Sequence, residues 1–402
     1  MKVIIATLCI FISNALTAQQ GMWTAQLQRS DGNAIPFNFE WKTEKGKAVW
    51  YIHNAAEKIR VENIVTEGDS LIVQMPVFES QFRLRYSNNT LTGQWIKGGA
   101  VRTQVIPFIA QQSNKRFVTT TVSNKNISGR WAVRFASNQP NELSVAEFQQ
   151  AGNKLTGTFL NPTGDYRYLE GTVSKDSLFL SCFDGSHAFL ITGKINNGTT
   201  ISGGTFYSGA TYKEEWNARK NAHAKVTEET VEMHVRPGEE KLHFSFRDLS
   251  GKSVSIDDDK FKNKVVIVQL MGSWCPNCMD ETAFLSDYYN KNKQRGVEVI
   301  ALAYEYSTDW ERSLKSLQKF QQRFNVQYTV LNTEVAVNDS LRTEKTLPEL
   351  TPIKFFPSSV ILDKKGKIRK LDTGFNGPGT GAHYIAYKKE FETTINKLLR
   401  EN

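Results

Sequence analysis

The sequence predicts a multidomain chain: a C-terminal α/β domain preceded by an all-β region of two repeated antiparallel barrel or sandwich units. Three observations predict it. Beyond about residue 240, continuous apolar runs alternate with helical patterns, as expected of strands buried between helices. Between residues 21 and 225 the chain is instead rich in Gly, Asn, Thr and aromatics, with short alternating runs broken by turn sequences such as Asn88-Asn89-Thr90 and Asn196-Asn197-Gly198. This β-rich stretch is also similar to itself at a spacing of about 108 residues, which points to repeated units.

The 402 residues leave room for two or three domains. At the start, Lys2 precedes an apolar run from Val3 to Ile12, followed by small and polar residues from Ser13 to Gln19. This reads as a secretory signal peptide over 1–18, cleaved after Ala18. The apolar run is short for a membrane-spanning helix, and Cys9 lies too early in it to be a lipidation site. The mature chain is therefore expected to be exported and soluble.

The first β-rich repeat is placed at 21–118 and the second at 127–219. Gly21-Met22-Trp23 answers Gly129-Arg130-Trp131, Gly68-Asp69-Ser70-Leu71 answers Lys175-Asp176-Ser177-Leu178, and Leu91-Thr92-Gly93 answers Ile201-Ser202-Gly203. A strand meander of this size suits a small barrel or sandwich, and barrel closure would remove exposed strand edges. Trp23, Trp41, Trp50, Trp95, Trp131 and Trp216 either fill a core, the default for such residues, or line a ligand site. Cys182 shares one face of an alternating run with Leu178 and Leu180, which reads as a buried, unreactive thiol; the sharper alternative is a third redox partner. From Lys213 to Val235 the chain is highly polar and reads as a connector, with a linker at 220–239 closed by the turn pair Pro237-Gly238.

The domain at 240–402 alternates in type. Val265 to Met271 and Val297 to Ala303 read as buried strands. Asp280 to Arg295 and Asp309 to Phe324 read as helices, the latter with Leu314, Leu317, Phe320 and Phe324 on one face. Tyr328 to Leu331 reads as a short strand. Ser358 to Leu362 and Lys367 to Leu371 flank the hairpin signal Lys364-Lys365-Gly366, and His383 to Leu399 reads as a closing helix. The whole suits α/β layers around a mixed sheet.

Between the first of these strands and the first helix lies Trp274-Cys275-Pro276-Asn277-Cys278. A dithiol with two intervening residues at a strand-to-helix junction suits disulfide exchange. The helix N-terminus presents unpaired N–H groups and a positive dipole end to Cys275, favouring its thiolate, which is the nucleophile. Cys278, one turn on, is placed to resolve a mixed disulfide. Pro276 fits the first helical turn, where its missing N–H costs nothing. The competing readings are a zinc site and two structural thiols. Zinc needs further paired ligands, whereas only Cys9, Cys182 and six scattered His remain. The strand-to-helix context favours Cys275 and Cys278 as the catalytic pair, with no metal, over two buried structural thiols.

On these residues, 240–402 resembles the thioredoxin superfamily in its extracytoplasmic TlpA/ResA-like branch. Further landmarks are Glu281 and Leu285 after the second cysteine, where Ala283 stands in place of a usual proline, and Phe356-Pro357-Ser358-Ser359-Val360-Ile361-Leu362-Asp363-Lys364-Lys365-Gly366-Lys367-Ile368. The resemblance implies a redox-active Cys275–Cys278 disulfide. It also implies a cis Pro357 facing the dithiol, with Trp274, Pro276, Phe356 and Pro357 around a substrate groove. No bound cofactor is implied. The implied partners are protein thiols or disulfides of the cell envelope, with an upstream electron donor or acceptor such as a membrane redox protein, and the implied compartment is the periplasm. The direction tilts to reduction, as in cytochrome maturation or cell redox homeostasis. One departure matters: thioredoxin has a buried aspartate six residues before its first cysteine, and here Gln269, which cannot ionise, takes that place. Glu334, Glu344 and Glu349 lie in the interval where the branch supplies a glutamate, each also readable as a solvated surface charge.

The formal charge of +9 is spread along the chain and points only weakly to acidic partners. There is no nucleic-acid motif, Gly-x-Ser-x-Gly, phosphate loop or dinucleotide fingerprint; Gly374 to Gly381 lacks the Lys-Ser/Thr ending and reads as a loop near the active face. Two other functions stay open: a thiol peroxidase on the same fold, and a β-domain ligand- or partner-binding protein with an accessory redox domain.

Overall fold

The computed structural model describes residues 19–119, 121–138, 142–227 and 232–401; the leader expected over 1–18 lies outside the described residues. Unit 1 comprises β1 (Gly21–Gln28), β2 (Ala34–Glu44), β3 (Lys47–Asn54), β4 (Glu57–Val61), β5 (Asn63–Glu67), β6 (Ser70–Gln74), β7 (Ser80–Ser87), β8 (Thr90–Lys97) and β9 (Gln104–Gln112). They form one antiparallel sheet in the order β4-β3-β2-β1-β9-β8-β7-β6-β5, a curled meander whose two end strands, β4 and β5, are not laddered to each other. Alternation drives it: along β1, Trp23, Ala25 and Leu27 are buried while their neighbours face outward. Asn88 and Asn89, at φ 50° and 57°, make the tight turn between β7 and β8 that right-twisted strands prefer.

Unit 2 comprises β10 (Gly129–Phe135), β11 (Ser144–Ala151), β12 (Lys154–Asn161), β13 (Gly164–Asp165), β14 (Leu169–Ser174), β15 (Ser177–Phe183), β16 (Ala188–Ile195), β17 (Thr200–Ser208) and β18 (Tyr212–Lys220). Here β11 pairs with both β10 and β12, and β10 pairs with β18, so the meander closes into a barrel with β13 as a short flap on β12. The two units open alike. Gly21 and Gly129 take φ 123° and 115°. Trp23 Nε1 donates to the carbonyl four residues back, Gln19 O, at 2.8 Å, and Trp131 Nε1 donates to Ile127 O at 2.9 Å.

The six β-region tryptophans offered as alternative ligand contacts are at most 1 % exposed and fill the two cores. Phe39 stacks on Trp50 with ring centroids 4.0 Å apart, and Phe37 on Phe183 at 4.3 Å, so part of the packing runs from one unit to the other. Cys182 is wholly buried in the core of unit 2, where burial pushes its thiol up. The connector reading needs correction. Lys213 to Lys220 belongs to β18, because Trp216 and Ala218 alternate inward among outward charges.

The C-terminal domain is a seven-stranded mixed sheet with helices on its faces. Its elements are β19 (Ser245–Asp248), β20 (Ser253–Ser255), β21 (Val265–Met271), α1 (Pro276–Asn292), β22 (Val297–Ala303), α2 (Trp310–Arg323), β23 (Thr329–Asn332), α3 (Arg342–Thr346), β24 (Ser358–Leu362), β25 (Ile368–Thr373) and α4 (Ala382–Arg400). The strand order is β20-β19-β23-β22-β21-β24-β25, with β21, β22 and β23 parallel and the other pairs antiparallel. Every residue of β21 is buried, as suits a central strand whose apolar run is interrupted only by Gln269. β19 and β20 carry too few apolar residues to show as strands in the sequence. α1 begins at Pro276, four residues before the expected Asp280, because Cys275 serves as its N-cap and a proline is suited to the first position. Among the described residues, no helix is long and apolar enough to cross a membrane.

Candidate active site

β21 ends at Met271, and the chain turns at the edge of the sheet into α1. Cys275 is the N-cap: Cys278 N donates to its sulfur at 3.2 Å. The two cysteines form a disulfide with their Cα atoms 5.2 Å apart. The Phe356-Pro357 peptide bond is cis, and Cys275 Sγ lies 3.5 Å from Phe356 O. Gly374 N donates to Pro357 O at 2.9 Å, fixing the loop from Gly374 to Gly381 beside the same edge. Trp274 Nε1 donates to Tyr304 O at 2.8 Å, and the indole meets Phe356 edge-on with centroids 5.8 Å apart. Trp274, Cys275, Pro276, Cys278, Phe356 and Pro357 are thus gathered at one end of β21 and β24.

Two carboxyl groups are buried beside the dithiol. Glu281 is 1 % exposed and one helical turn beyond Cys278, on the same side of α1. Gln269 Nε2 donates to it at 2.8 Å, and burial lifts its pKa to about 8. Gln269, at the position where an aspartate was looked for, therefore holds an acid rather than being one. Glu305, also buried, accepts from Ser273 N at 2.8 Å and Ser273 Oγ at 2.6 Å, pinning the loop that leads into Cys275; burial lifts it to about 7.

The three glutamates singled out in the sequence lie elsewhere. Glu334 is paired with Arg247 on the surface, and Glu344 lies 3.6 Å from Arg236. Glu349 is buried but accepts from His243 N, away from the dithiol turn. The sequence signal for Glu281 was its three-residue spacing from Cys278 on a helix. For Glu305 it was its place just past the C-terminal end of a buried parallel strand, where sites of α/β sheets collect.

The β units reach the site as well. Arg167, with no exposed side chain, donates from Nη1 to Pro276 O at 2.9 Å and lies 2.6 Å from Asp280 of α1. Its Nη2 contacts Glu57 of unit 1, and Nε lies 3.6 Å from Asp184 of unit 2. Burial opposes the Arg167 charge, yet these three carboxylates hold it firmly protonated. Burial lifts Asp280 to about 7 against the pull of Arg167. Asn277 Nδ2 donates to Asp165 O at 3.2 Å, and Ser186 Oγ donates to Trp274 O at 3.1 Å. Asp165, Arg167 and Ser186 are not singled out in the sequence, and nothing in their spacing announces this role.

Residues 236–385 match the family model Redoxin. Over 139 residues, 35% of this chain and 70% of the relative, the chain is 28% identical to the thiol-disulfide oxidoreductase ResA of Bacillus thuringiensis subsp. konkukian (strain 97-27). Over 140 residues, 35% of this chain and 69% of the relative, it is 23% identical to the ResA of Bacillus subtilis (strain 168). A solved thiol:disulfide interchange protein of the thioredoxin family from Chlorobium tepidum TLS covers 41% of this chain and 99% of its own, at 20% identity and a TM-score of 0.30.

Proposed function

We propose that this chain, whose C-terminal part is a thioredoxin-superfamily domain of the TlpA/ResA-like kind, is an exported thiol-disulfide oxidoreductase that reduces protein disulfides through Cys275 and Cys278. The chain is an oxidoreductase. The observation that carries the finer reading is the dithiol at the start of α1, with Cys275 Sγ 3.5 Å from the carbonyl before a cis-proline.

In the reducing direction, the Cys275 thiolate attacks one sulfur of a substrate disulfide. A mixed disulfide forms and the other substrate sulfur leaves as a thiolate. Cys278 then loses its proton and attacks Cys275 Sγ, releasing the second substrate thiol. Two electrons pass to the substrate and the Cys275–Cys278 disulfide remains. The α1 N-terminus stabilises the first thiolate. Glu281, with a pKa of about 8 near that of a thiol, is suited to take the Cys278 proton and return it when the disulfide is reduced again. Return to the dithiol calls for an electron donor, which we take to be a membrane redox protein of the cell envelope.

The leader read in 1–18 supports a periplasmic site of action, and the name of the ResA relatives supports the dithiol chemistry. Cytochrome maturation and general thiol repair are the processes this reading serves. The matched Gly-x-Trp openings support reading units 1 and 2 as repeats, and in this proposal the β region holds the redox domain near a partner or recognises that partner.

Equilibration with glutathione buffers tests the reading. A two-electron midpoint near about −270 mV fits a reductant. One near about −120 mV would turn the direction to oxidation, and no reversible transition would end the oxidoreductase reading.

A further inference from the structure

We propose, on the footing of the oxidoreductase reading above, that units 1 and 2 form a cap closed over the dithiol, and that Cys275 meets a protein partner only when this cap lifts. The residues flanking Cys275 are held one after another by unit 2. Trp274 O accepts from Ser186 Oγ, Pro276 O accepts from Arg167 Nη1, and the Asn277 amide donates to Asp165 O. The fit is close. Gly164 has φ +135°, and a Cβ there would stand 2.2 Å from Asn277 Nδ2. Gly377 N, beside the cis-proline edge, donates to Asp165 Oδ2 at 2.7 Å.

Unit 1 closes the other side. Val77 and Phe78 belong to the same continuous buried cluster as Met271, Cys275 and Cys278. The next residue, Glu79, clamps Arg312 of α2 with contacts of 2.8 to 3.2 Å and accepts from Ser316 Oγ. With both units in place, Cys275 is 4 % exposed and Cys278 wholly buried.

Disulfide exchange needs a foreign sulfur in contact with Cys275 Sγ, and its rate depends on access. A folded or extended protein partner finds the approach over residues 274–277 already filled, so the closed arrangement does not turn over protein disulfides. Charge adds to these apolar and hydrogen-bonded contacts in holding it shut. Arg167 gathers one carboxylate from unit 1, one from unit 2 and one from α1, and Glu79 with Arg312 latches the rim. Opening parts these charge-assisted contacts and also draws Val77 and Phe78 out of the buried cluster they share with Cys275.

The test is alkylation of the reduced full-length chain by a bulky polymer-linked maleimide, read by mass spectrometry at each cysteine. Cys182 is the internal control, because it lies in the core of unit 2 and reacts only on unfolding. With Cys182 unmodified, Cys275 of the wild type should react at least about tenfold more slowly than in Glu79→Ala, which releases a latch worth about one decade in the opening equilibrium. Arg167→Met should be faster still. If Arg167→Met also exposes Cys182 it has unfolded, and Glu79→Ala alone decides. Equal Cys275 rates in the wild type and Glu79→Ala, with Cys182 protected, overturn the cap. Glutathione equilibration of the same samples separates the two readings: loss of the two-electron transition ends the oxidoreductase reading, whereas the alkylation rates judge the cap independently.

Discussion

In unit 2 the strand β11 bonds to neighbours on both sides and the ring of strands closes, whereas in unit 1 the ring stops between β4 and β5. The openings of the two units agree down to the indole hydrogen bond. Their involvement with the dithiol does not agree. Unit 2 contributes Asp165, Arg167 and Ser186 directly to the CxxC turn, from the flap around β13 and the turn between β15 and β16. Unit 1 contributes Glu57 and the loop at Val77 to Glu79. The shared pattern sets the barrel wall; the loops that depart from it carry the contacts to the dithiol. Two similar modules thus come to hold different offices through a few turn residues.

The sharpest way to break this contrast is to remove one arginine from each unit. Arg167→Ala leaves buried carboxylates without their cation and should cost about 3–5 kcal/mol in urea unfolding. Arg60 of unit 1, paired with Glu44 and Glu62 in a half-exposed setting, should cost less than about 1 kcal/mol on the same change. Similar losses at the two sites would erase the distinction.

A second test sets the β region against the C-terminal domain through pH. Glu281 is raised from its usual 4.5 to about 8, so the folded state keeps a proton that the unfolded chain gives up. Its stabilising effect is complete below about pH 4.5 and is lost as pH rises to about 8. At about 1.4 kcal/mol per unit, the loss is on the order of 5 kcal/mol. Glu281→Gln should flatten the fall in urea midpoint between pH 5 and 8.5. Asp280 and Glu305 titrate in the same direction, so the slope should shrink without vanishing. An unchanged slope would place the proton elsewhere.

A smaller effect sharpens the likeness of the units. Trp23→Phe and Trp131→Phe each remove one buried indole N–H bond and should each cost about 1–2 kcal/mol in thermal unfolding. A large difference between them would undo the reading of the openings as equivalent.

Much of the architecture was legible because periodicity reports burial. The largely apolar run Val265 to Met271 matched a strand covered on both faces, and Cys275 with Cys278 just past its end marked the turn that carries the disulfide. The alternation of Trp216 and Ala218 was there to be read, but surrounding charges hid it, and the closing strand passed for a connector. Glu281 was visible as a landmark yet not as an acid, since a raised pKa comes from burial, which the helix pattern alone does not state. Asp165, Arg167 and Ser186 stayed invisible because their partners stand more than eighty residues away, and a polar turn looks the same whether water or a neighbouring domain completes its hydrogen bonds.

The unclosed side of unit 1 has a further consequence. A strand without a neighbour offers its amides to solvent and to any passing chain. β5 is almost wholly exposed and ends in Glu67, while Lys58 and Glu62 lie near the facing border of β4. Fixed charge there discourages sheet-to-sheet stacking between molecules at high concentration. The same border is where deuterium should enter unit 1 first, ahead of the closed ring next to it.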